Sequence, residues 1–315
     1  MSNDPNSKDR RPSFDLAGVV DALVQRNDEL VAQGPRKRPG RQLLPSRESL
    51  VGAIEQVRAA MFPAHFGKVE PSGEGLRYYI GATLDGALQT LHEQTRRAFD
   101  YTCPLDPAEC EACEEKALQT TRAFAAKLPE VRSLLARDIQ AAYDGDPAAT
   151  GPDETVVSYP GIEAVTFYRL AHVLHGLQVP LIPRIITEHA HAQTGIDIHP
   201  GAKIGGAFFI DHGTGVVIGA TAEVGERVTL YQGVTLGAKN FPLDELGKPI
   251  KGLPRHPKIE DDVVIYAGAT VLGRIVIGKG SSIGGNVWLT ASVPPGSRIS
   301  QASVRRDDFD GGVGI

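Results

Sequence analysis

Histidine and aspartate occur close together in two short segments of this chain, in a pattern that suits acid–base chemistry. Asp211 and His212 are adjacent in IDHGTG, and Asp197 precedes them in GIDIHP. A histidine that a carboxylate orients is a general-base pair, and its pKa near neutrality suits removal of a proton from an alcohol. A lone histidine is more often a surface residue, but the aspartates and a second histidine favour a functional interpretation. We therefore predict that His212 is the catalytic base and Asp197 its partner.

Arg255 and His256 occur together in RHPKI and suit binding of a negatively charged group. Arginine offers a planar fork to a carboxylate, and histidine adds a further donor. The carboxylates of Asp146 and Asp211 suit an ammonium group. The alternative for Arg255 is a solvated charge, the commonest state of arginine. Together these residues predict a site for a zwitterionic acceptor, an amino acid.

These residues belong to a sequence with a six-residue hydrophobic repeat. Branched apolar residues recur at Ile218, Val224, Leu230, Leu236 and again at Ile259, Ile265, Val271, Ile277, Ile283, Leu289. An earlier run, slightly out of phase, is Ile198, Ile204 and Ile210. This interval is typical of hexapeptide repeats in a parallel β-helix, where each hexad forms one side of a coil. An alternating-strand sandwich is disfavoured because its turns would lie too close together.

Stacking of coils bears on the catalytic pair. We place Asp197 about two coils before His212, and residues separated by whole coils meet on one face of a β-helix. His199, two residues after Asp197, faces outward with it if the strand alternates. We therefore expect Asp197 and His212 to meet on one face.

The repeat is interrupted by an insertion over residues 237–258. An insertion that leaves the repeat intact on both sides must leave the prism as a loop. Long loops on a rigid scaffold are often functional. Because this insertion returns to the prism at Arg255 and His256, we predict that it forms a wall of the active site. The alternative is a passive surface excursion.

The segments outside the repeat predict an α + β chain with four parts. These are an N-terminal extension and linker (1–45), an α-helical domain (46–193), a β-helix (194–300) and a flexible tail (301–315). Helices are predicted at 14–33, 46–62, 74–99, 107–127, 131–143, 161–176 and about 180–192, with a polar loop over 144–160. Asp106, Pro107 and Glu109 form the pattern of a helix start.

Composition excludes several classes of function. A net charge of −5 gives no case for a nucleic-acid partner. No apolar run reaches the ~20 residues of a membrane span, so we expect no membrane interaction. The N-terminus has no apolar signal core and the three cysteines cannot all pair within the chain, so a reducing, cytoplasmic location is expected.

The cysteines themselves form a weak motif. Cys103, Cys110 and Cys113 could bind zinc with His92 as a fourth ligand, or they are ordinary reduced cysteines near a helix start. Three cysteines alone favour the second interpretation, and we predict no metal site.

From about Val131 to Ser300 the chain resembles the serine O-acetyltransferase family. The motifs that carry the resemblance are GIDIHPGAKIG, IDHGTGVVIG, VTLG before the insertion, RHPKI and VPPGS. The resemblance implies a left-handed parallel β-helix, trimerisation through the prisms, and sites at subunit boundaries. It also implies that the helical domain joins two trimers into a hexamer.

The resemblance implies roles for individual residues. His212 would activate the serine hydroxyl, with Asp197 as its partner. Residues that would bind serine, or the inhibitor L-cysteine, are Asp146, Asp211, Arg255 and His256. Ala267 and Gly285 match backbone positions along the coenzyme A groove. The C-terminal residue, Ile315, would insert into O-acetylserine sulfhydrylase, the next enzyme, since a glycine-rich tail with an apolar end suits an amino-acid pocket. The alternative is an accidental terminal isoleucine.

The predicted reaction is direct acetyl transfer from acetyl-CoA to L-serine, the first step of cysteine biosynthesis, inhibited by L-cysteine. Acetyl-CoA is a co-substrate, and no tightly bound cofactor is expected. Three alternatives remain open at this point. The chain could acylate a sugar or an amino alcohol. It could be a carbonic-anhydrase-like zinc enzyme with His199, His212 and His256 as ligands. It could also be a non-catalytic subunit that regulates the sulfhydrylase.

Overall fold

The computed structural model describes residues 16–33, 43–67, 72–103, 111–240 and 242–301. The chain divides into two compact units, Met1–Gln42 and Leu43–Ile315. The first contains helix α1 (Ala17–Gln33), which confirms the predicted N-terminal helix from Ala17 onward. Its apolar residues Val19, Val20, Leu23 and Val24 are all exposed.

The second unit begins with seven helices within its described residues. They are α2 (Arg47–Met61), α3 (Pro63–Phe66), α4 (Gly73–Thr102), α5 (Glu111–Gly145), α6 (Pro152–Ser158), α7 (Pro160–Gly176) and α8 (Ile182–Thr194). Helix α2 shows why the sequence folds locally in this way. Ser46 caps it by accepting a hydrogen bond from the Ser49 N–H at 3.3 Å. Leu50, Ile54 and Val57 recur at helical spacing and are buried.

The structure corrects two of the predicted boundaries. The helices expected at 107–127 and 131–143 are one helix, α5, with Pro129 inside it. Buried residues continue on one face across the proline, from Leu128 to Val131 and Leu135, so packing of this face outweighs the lost hydrogen bond. The expected polar loop over 144–160 contains α6. The helix-start pattern at Asp106, Pro107 and Glu109 lies outside the described residues.

Within the described residues, fourteen short strands then wind into a three-sided parallel β-helix. The first sheet contains β1 (Asp197–Ile198), β4 (Val217–Ile218), β7 (Thr235–Gly237), β10 (Thr270–Leu272) and β13 (Trp288–Leu289). The second contains β2 (Lys203–Ile204), β5 (Glu223–Val224), β8 (Lys258–Ile259) and β11 (Val276–Ile277). The third contains β3 (Phe209–Asp211), β6 (Thr229–Tyr231), β9 (Val264–Ile265), β12 (Ser282–Ile283) and β14 (Arg298–Ile299).

The strand register confirms the hexapeptide repeat. Ile198, Ile218, Leu236, Val271 and Leu289 stack in the first sheet, and Ile204, Val224, Ile259 and Ile277 in the second. Ile210, Leu230, Ile265 and Ile283 stack in the third. Each predicted repeat position therefore belongs to one of three apolar columns that fill the prism.

Helix α7 covers the open edge of the first coil. In that coil the N–H groups of Asp197 and Lys203 donate onward to the second coil, so intervening carbonyls point the other way. Side chains of α7 satisfy these carbonyls. The Tyr168 hydroxyl donates to Ala202 O at 2.6 Å, and the Arg169 guanidinium donates to Gly205 O at 2.7 Å.

A buried ion pair fixes α7 to α5 at this edge. Arg169 donates to both carboxylate oxygens of Asp138, at 2.6 and 2.9 Å, and their side chains are 4% and 0% exposed. Asp138 also accepts from the Phe208 N–H at 2.9 Å. The helices and the first coil are thus joined by one fully hydrogen-bonded pair.

No helix within the described ranges is long and apolar enough to span a membrane.

Candidate active site

His212 projects from a bulge at the corner between the third and first sheets. The interval from Ile210 to Ile218 is eight residues, whereas Leu230 and Leu236 are six apart. His212 adopts a left-handed backbone conformation with φ +55, and its side chain is 73% exposed. Gly213, the next residue, has φ +85, a left-handed conformation that favours glycine, and a Cβ there would lie 2.4 Å from Ile196 Cδ1. The out-of-phase start of the repeat is therefore the bulge that presents His212.

Asp146 and Asp211, which were predicted to bind an ammonium group, lie beside His212. The Asp211 carboxylate is 4.0 Å from Nε2 of His212. Asp146 accepts hydrogen bonds from the Tyr159 hydroxyl at 2.5 Å and from the Ala148 N–H at 2.8 Å. The bond from Tyr159, then that from Ala148, and the nearby His212 lower the pKa of Asp146. Asp146 is therefore an ionised carboxylate at neutral pH, and with Asp211 and His212 it forms what we call the His212 half-site.

Asp197, Arg255 and His256 lie around a different corner, between the first and second sheets. Asp197, on β1, is 3.3 Å from the Arg184 guanidinium. His199 follows it, and its Nδ1 accepts from the Gly201 N–H at 3.0 Å. Burial, with a contribution from Arg184, lowers the pKa of His199 to about 4. Asp197, His199, Arg255 and His256 together form what we call the Arg255 half-site.

The insertion delivers Arg255 and His256 to this corner. After β7 it forms a hairpin in which the Asp244 carboxylate accepts from the N–H groups of Leu246 and Lys248, at 2.9 and 2.8 Å. It returns where the Arg255 N–H donates to the Thr221 hydroxyl at 2.9 Å. The predicted route of the insertion is confirmed, and its function as a wall stays a prediction. Thr221 was missed in the sequence because GATAEVG reads only as one more hexad.

The two half-sites are separated within one chain. Asp197 and His212 belong to the same coil, so the predicted separation of about two coils is wrong. Asp197 lies within the first sheet, and His212 at the corner that precedes this sheet on the next coil. Within the described residues the Asp197 carboxylate pairs with Arg184 and makes no hydrogen bond or ion pair to His212. The corners of His212 and Arg255 lie at opposite ends of the first sheet, and about five extended residues at ~3.3 Å each place them roughly 15 Å apart. One chain therefore does not bring Asp197 to His212, in contrast to the expectation that they meet on one face.

Ala267 and Gly285 share the corner of His212, on later coils. The Gly268 N–H donates to Gln232 O at 2.9 Å, and the Asn286 N–H donates to Ala267 O at 2.8 Å, so this corner stacks as a ladder. A Cβ at Gly285 would lie 3.2 Å from Ala267 O. The ladder includes the small residues Ala267, Gly268 and Gly285 and runs away from His212 along the prism.

The histidines of the zinc alternative do not converge. His199 belongs to the Arg255 half-site, and His212 lies at the other corner. Among the described residues, the carboxylates and imidazole that approach one another within 4.8 Å belong to Glu188, His191 and Asp197. Arg184 forms ion pairs with both carboxylates of that group, which leaves it poorly suited to a cation.

The cysteine cluster is only partly described by the structure, and the absence of a metal site stays a prediction. Cys113 is buried and Cys103 half-buried, whereas Cys110 lies outside the described residues. His92, the suggested fourth ligand, has its Nε2 at 2.8 Å from the Glu114 carboxylate.

Comparisons with known proteins show which chains this one resembles. Residues 256–291 match the family described as bacterial transferase hexapeptide (six repeats). The chain is 54% identical to the Synechococcus elongatus protein named "Serine acetyltransferase, plasmid", over the full length of both. It is similar to the crystal structure of Entamoeba histolytica serine acetyltransferase 1 in complex with L-cysteine, with 34% identity, a TM-score of 0.70, and coverage of 91% of this chain and 100% of that one. It is also similar to a Brucella abortus serine acetyltransferase in complex with coenzyme A, with 28% identity, a TM-score of 0.52, and coverage of 78% and 91%.

Proposed function

The chain belongs to the serine acetyltransferase family, and on that premise we propose that two copies of it build each active site together. As a member of this family it is an acetyl-CoA-dependent acyltransferase that acetylates serine. Its fold is the family's helical region followed by a left-handed β-helix of hexapeptide repeats.

The separation of the two half-sites supports a shared site. His212, Asp146 and Asp211 lie at one corner of the prism, and Asp197, Arg255 and His256 lie around another. A threefold rotation places different surfaces of neighbouring copies against each other, because such interfaces are heterologous. We propose a homotrimer in which the His212 half-site of one chain faces the Arg255 half-site of the next. A dimer of such trimers would form through the helices.

In this arrangement the catalytic steps follow from the residues. His212 accepts the proton of the serine hydroxyl as the oxygen attacks the thioester carbonyl of acetyl-CoA. Asp197 of the partner subunit stabilises the imidazolium that forms. His212 then donates the proton to the departing thiolate of coenzyme A. The acetyl group passes directly to serine, without an acyl-enzyme.

The acceptor is bound at both ends. Asp146 and Asp211 bind its ammonium group, and the low pKa of Asp146 keeps that carboxylate charged. Arg255 and His256 of the partner subunit bind its carboxylate. L-cysteine has the same ammonium and carboxylate groups, so we propose that it competes with L-serine, as the Entamoeba complex with L-cysteine suggests. The ladder of Ala267 and Gly285 would form the groove for coenzyme A, which the Brucella enzyme binds.

The tail and the location of the protein belong to the same proposal. Ile315 lies outside the described residues, and its insertion into O-acetylserine sulfhydrylase stays a prediction from the sequence. So does a cytoplasmic location.

The experiment that tests this function measures release of coenzyme A from acetyl-CoA, with L-serine, homoserine or a sugar as acceptor. We expect release with L-serine and inhibition by L-cysteine. His212→Ala should lower kcat by roughly 10²- to 10⁴-fold while acetyl-CoA still binds. His92→Ala, in the helical region, is the matched control and should behave as the wild type. Release of coenzyme A with homoserine or a sugar but not with L-serine would overturn the assignment of Arg255 and His256. Full turnover by His212→Ala would show that His212 is not the catalytic base.

A further inference from the structure

The hydroxyl of Thr221 lies where the insertion rejoins the β-helix. Its oxygen accepts hydrogen bonds from the main-chain N–H groups of Arg255 and His256, at 2.9 and 3.2 Å. It also lies 2.8 Å from Nδ1 of the His256 ring. The Thr221 N–H points at the same ring nitrogen from 3.1 Å. One threonine therefore contacts both the main chain and the ring of the pair assigned to the acceptor carboxylate.

The positions of the protons follow from these contacts. A hydroxyl has one proton and two lone pairs. The two main-chain N–H groups occupy the lone pairs of the Thr221 oxygen, so its proton is directed at Nδ1 of His256. Two donors then face Nδ1, which must be the unprotonated ring nitrogen. The proton of the neutral ring therefore lies on Nε2.

The surroundings of His256 keep the ring neutral and fix its plane. The residue is 6% exposed, and burial, followed by the charge of Arg255, lowers its pKa to about 4. A Cβ at Gly219 would lie 2.0 Å from Cδ2 and 2.1 Å from Nε2, so the ring packs directly against the glycine backbone. Within the part of the chain that the structure describes, Nε2 makes no hydrogen bond, but it is not fully buried either. Its proton is available to a ligand.

Arg274 reinforces the same junction. Its guanidinium donates to Thr221 O at 2.8 Å and to His256 O at 3.0 Å, and it is paired with Glu223 at 2.5 Å. The point where the insertion rejoins the prism is therefore held by Arg274 as well as by the Thr221 hydroxyl. Neither set of contacts involves the hairpin at Asp244.

We propose that Thr221 is a positioning residue for acetyl transfer, which holds His256 as the Nε2–H tautomer, ready to donate to the carboxylate of the amino-acid acceptor. The inference rests on the proposed function, in which Arg255 and His256 bind that carboxylate. Because L-serine and L-cysteine share the carboxylate, Thr221 acts on binding of both. Acetyl-CoA has no such group, so its binding does not depend on Thr221.

The test compares Thr221→Val, which is nearly isosteric and lacks the hydroxyl, with Thr221→Ser, which keeps it. In Thr221→Val we expect the KM for L-serine to rise about tenfold, as for loss of a hydrogen bond to a binding group. The inhibition constant for L-cysteine should rise in parallel, and kcat and the KM for acetyl-CoA should stay within about twofold. Thr221→Ser should recover most of the affinity. Thr121→Val removes a buried hydroxyl that bonds Ala117 O in α5, and this control should match the wild type.

A second measurement does not depend on the folding of any variant. Long-range ¹⁵N NMR of histidine-labelled wild-type protein distinguishes the two neutral tautomers, and we expect the Nε2–H form for His256. Three results would overturn the inference. The first is the Nδ1–H form at His256, and the second is an unchanged KM for L-serine in Thr221→Val. The third is an equal rise, in that variant, of the KM for L-serine and the KM for acetyl-CoA. His256→Ala separates this outcome from failure of the proposed site: if it leaves the KM for L-serine unchanged, the carboxylate site itself is wrong.

Discussion

Mixing two impaired variants tests whether each active site is shared between two chains. His212→Ala removes the base from one half-site, and Arg255→Ala removes the carboxylate fork from the other. Each variant alone should be impaired: Arg255→Ala should lower kcat/KM for L-serine by roughly tenfold to a hundredfold, because a charged hydrogen bond is lost. The two defects lie at corners roughly 15 Å apart on one chain, so a mixed trimer can unite two intact halves.

The expected recovery follows from random assembly. In an equal mixture, a site is intact when its His212 half comes from an Arg255→Ala chain and its Arg255 half from a His212→Ala chain. Each condition holds half of the time, so about one quarter of the sites regain wild-type activity. Two affinity tags on the variants allow mixed trimers to be purified and assayed for coenzyme A release at low L-serine. Each purified mixed trimer contains both variants and therefore one intact site out of three, so the expected recovery in this sample is about one third.

Two further mixtures act as matched controls. His212→Ala with Asp146→Ala should show no recovery, because both changes fall in the His212 half-site. His212→Ala with Asp197→Ala should recover activity, because Asp197 acts from the partner subunit. The reasoning is refuted if tagged, mixed trimers of His212→Ala and Arg255→Ala show only background activity, or if the Asp146→Ala mixture recovers.

Three other predictions can be tested, two from the structure and one from the sequence of the tail. Asp138→Ala leaves Arg169 buried without its partner and should cost about 3–5 kcal/mol in thermal unfolding; the exposed Asp153→Ala should cost under ~0.5 kcal/mol, and similar losses would contradict the argument. His199 and His256 each have a pKa lowered from 6.5 to about 4, so the unfolded chain binds more protons between these values and stability falls as pH drops through this window. Melting curves should show this fall, with a shallower slope in His256→Asn; an equal slope would remove His256 as a cause. Deletion of Ile315 should abolish binding to O-acetylserine sulfhydrylase in a pull-down and leave acetyl transfer intact, and retained binding would place the contact elsewhere.

Much of the β-helix could be predicted because its repeat depends on local periodicity. A branched residue at every sixth position has only one favourable place, inside the prism, so Val224 and Ile265 were assigned without knowledge of their neighbours. The eight-residue interval at His212 was visible as a change of phase, but periodicity does not say which way a bulge points. The continuity of α5 across Pro129 was missed because tertiary packing, rather than local preference, decides it.

The sites depend on contacts that a sequence does not contain. Asp146, Asp211, Arg255 and His256 were assigned to one acceptor site, and the structure places Asp146 and Asp211 beside His212 and the other two at a different corner. Asp197 was assigned to the same face because coils stack, but the strand register that assigns it to the first sheet is a three-dimensional property. Thr221 gave no signal, since its importance comes from the return of the insertion 34 residues later to its hydroxyl.

The cover that α7 forms over the first coil also bears on solubility. A parallel coil whose outward carbonyls lack donors is a template on which a strand of another molecule can add, the first step towards a fibre. Tyr168 and Arg169 occupy those carbonyls at Ala202 and Gly205, and the His172 ring does the same at Pro200 O, at 2.8 Å. The helical region thus works as an end cap that limits the solenoid to its own coils. A truncated chain that began at the repeat would expose this edge and be prone to aggregate, however well its apolar columns were packed.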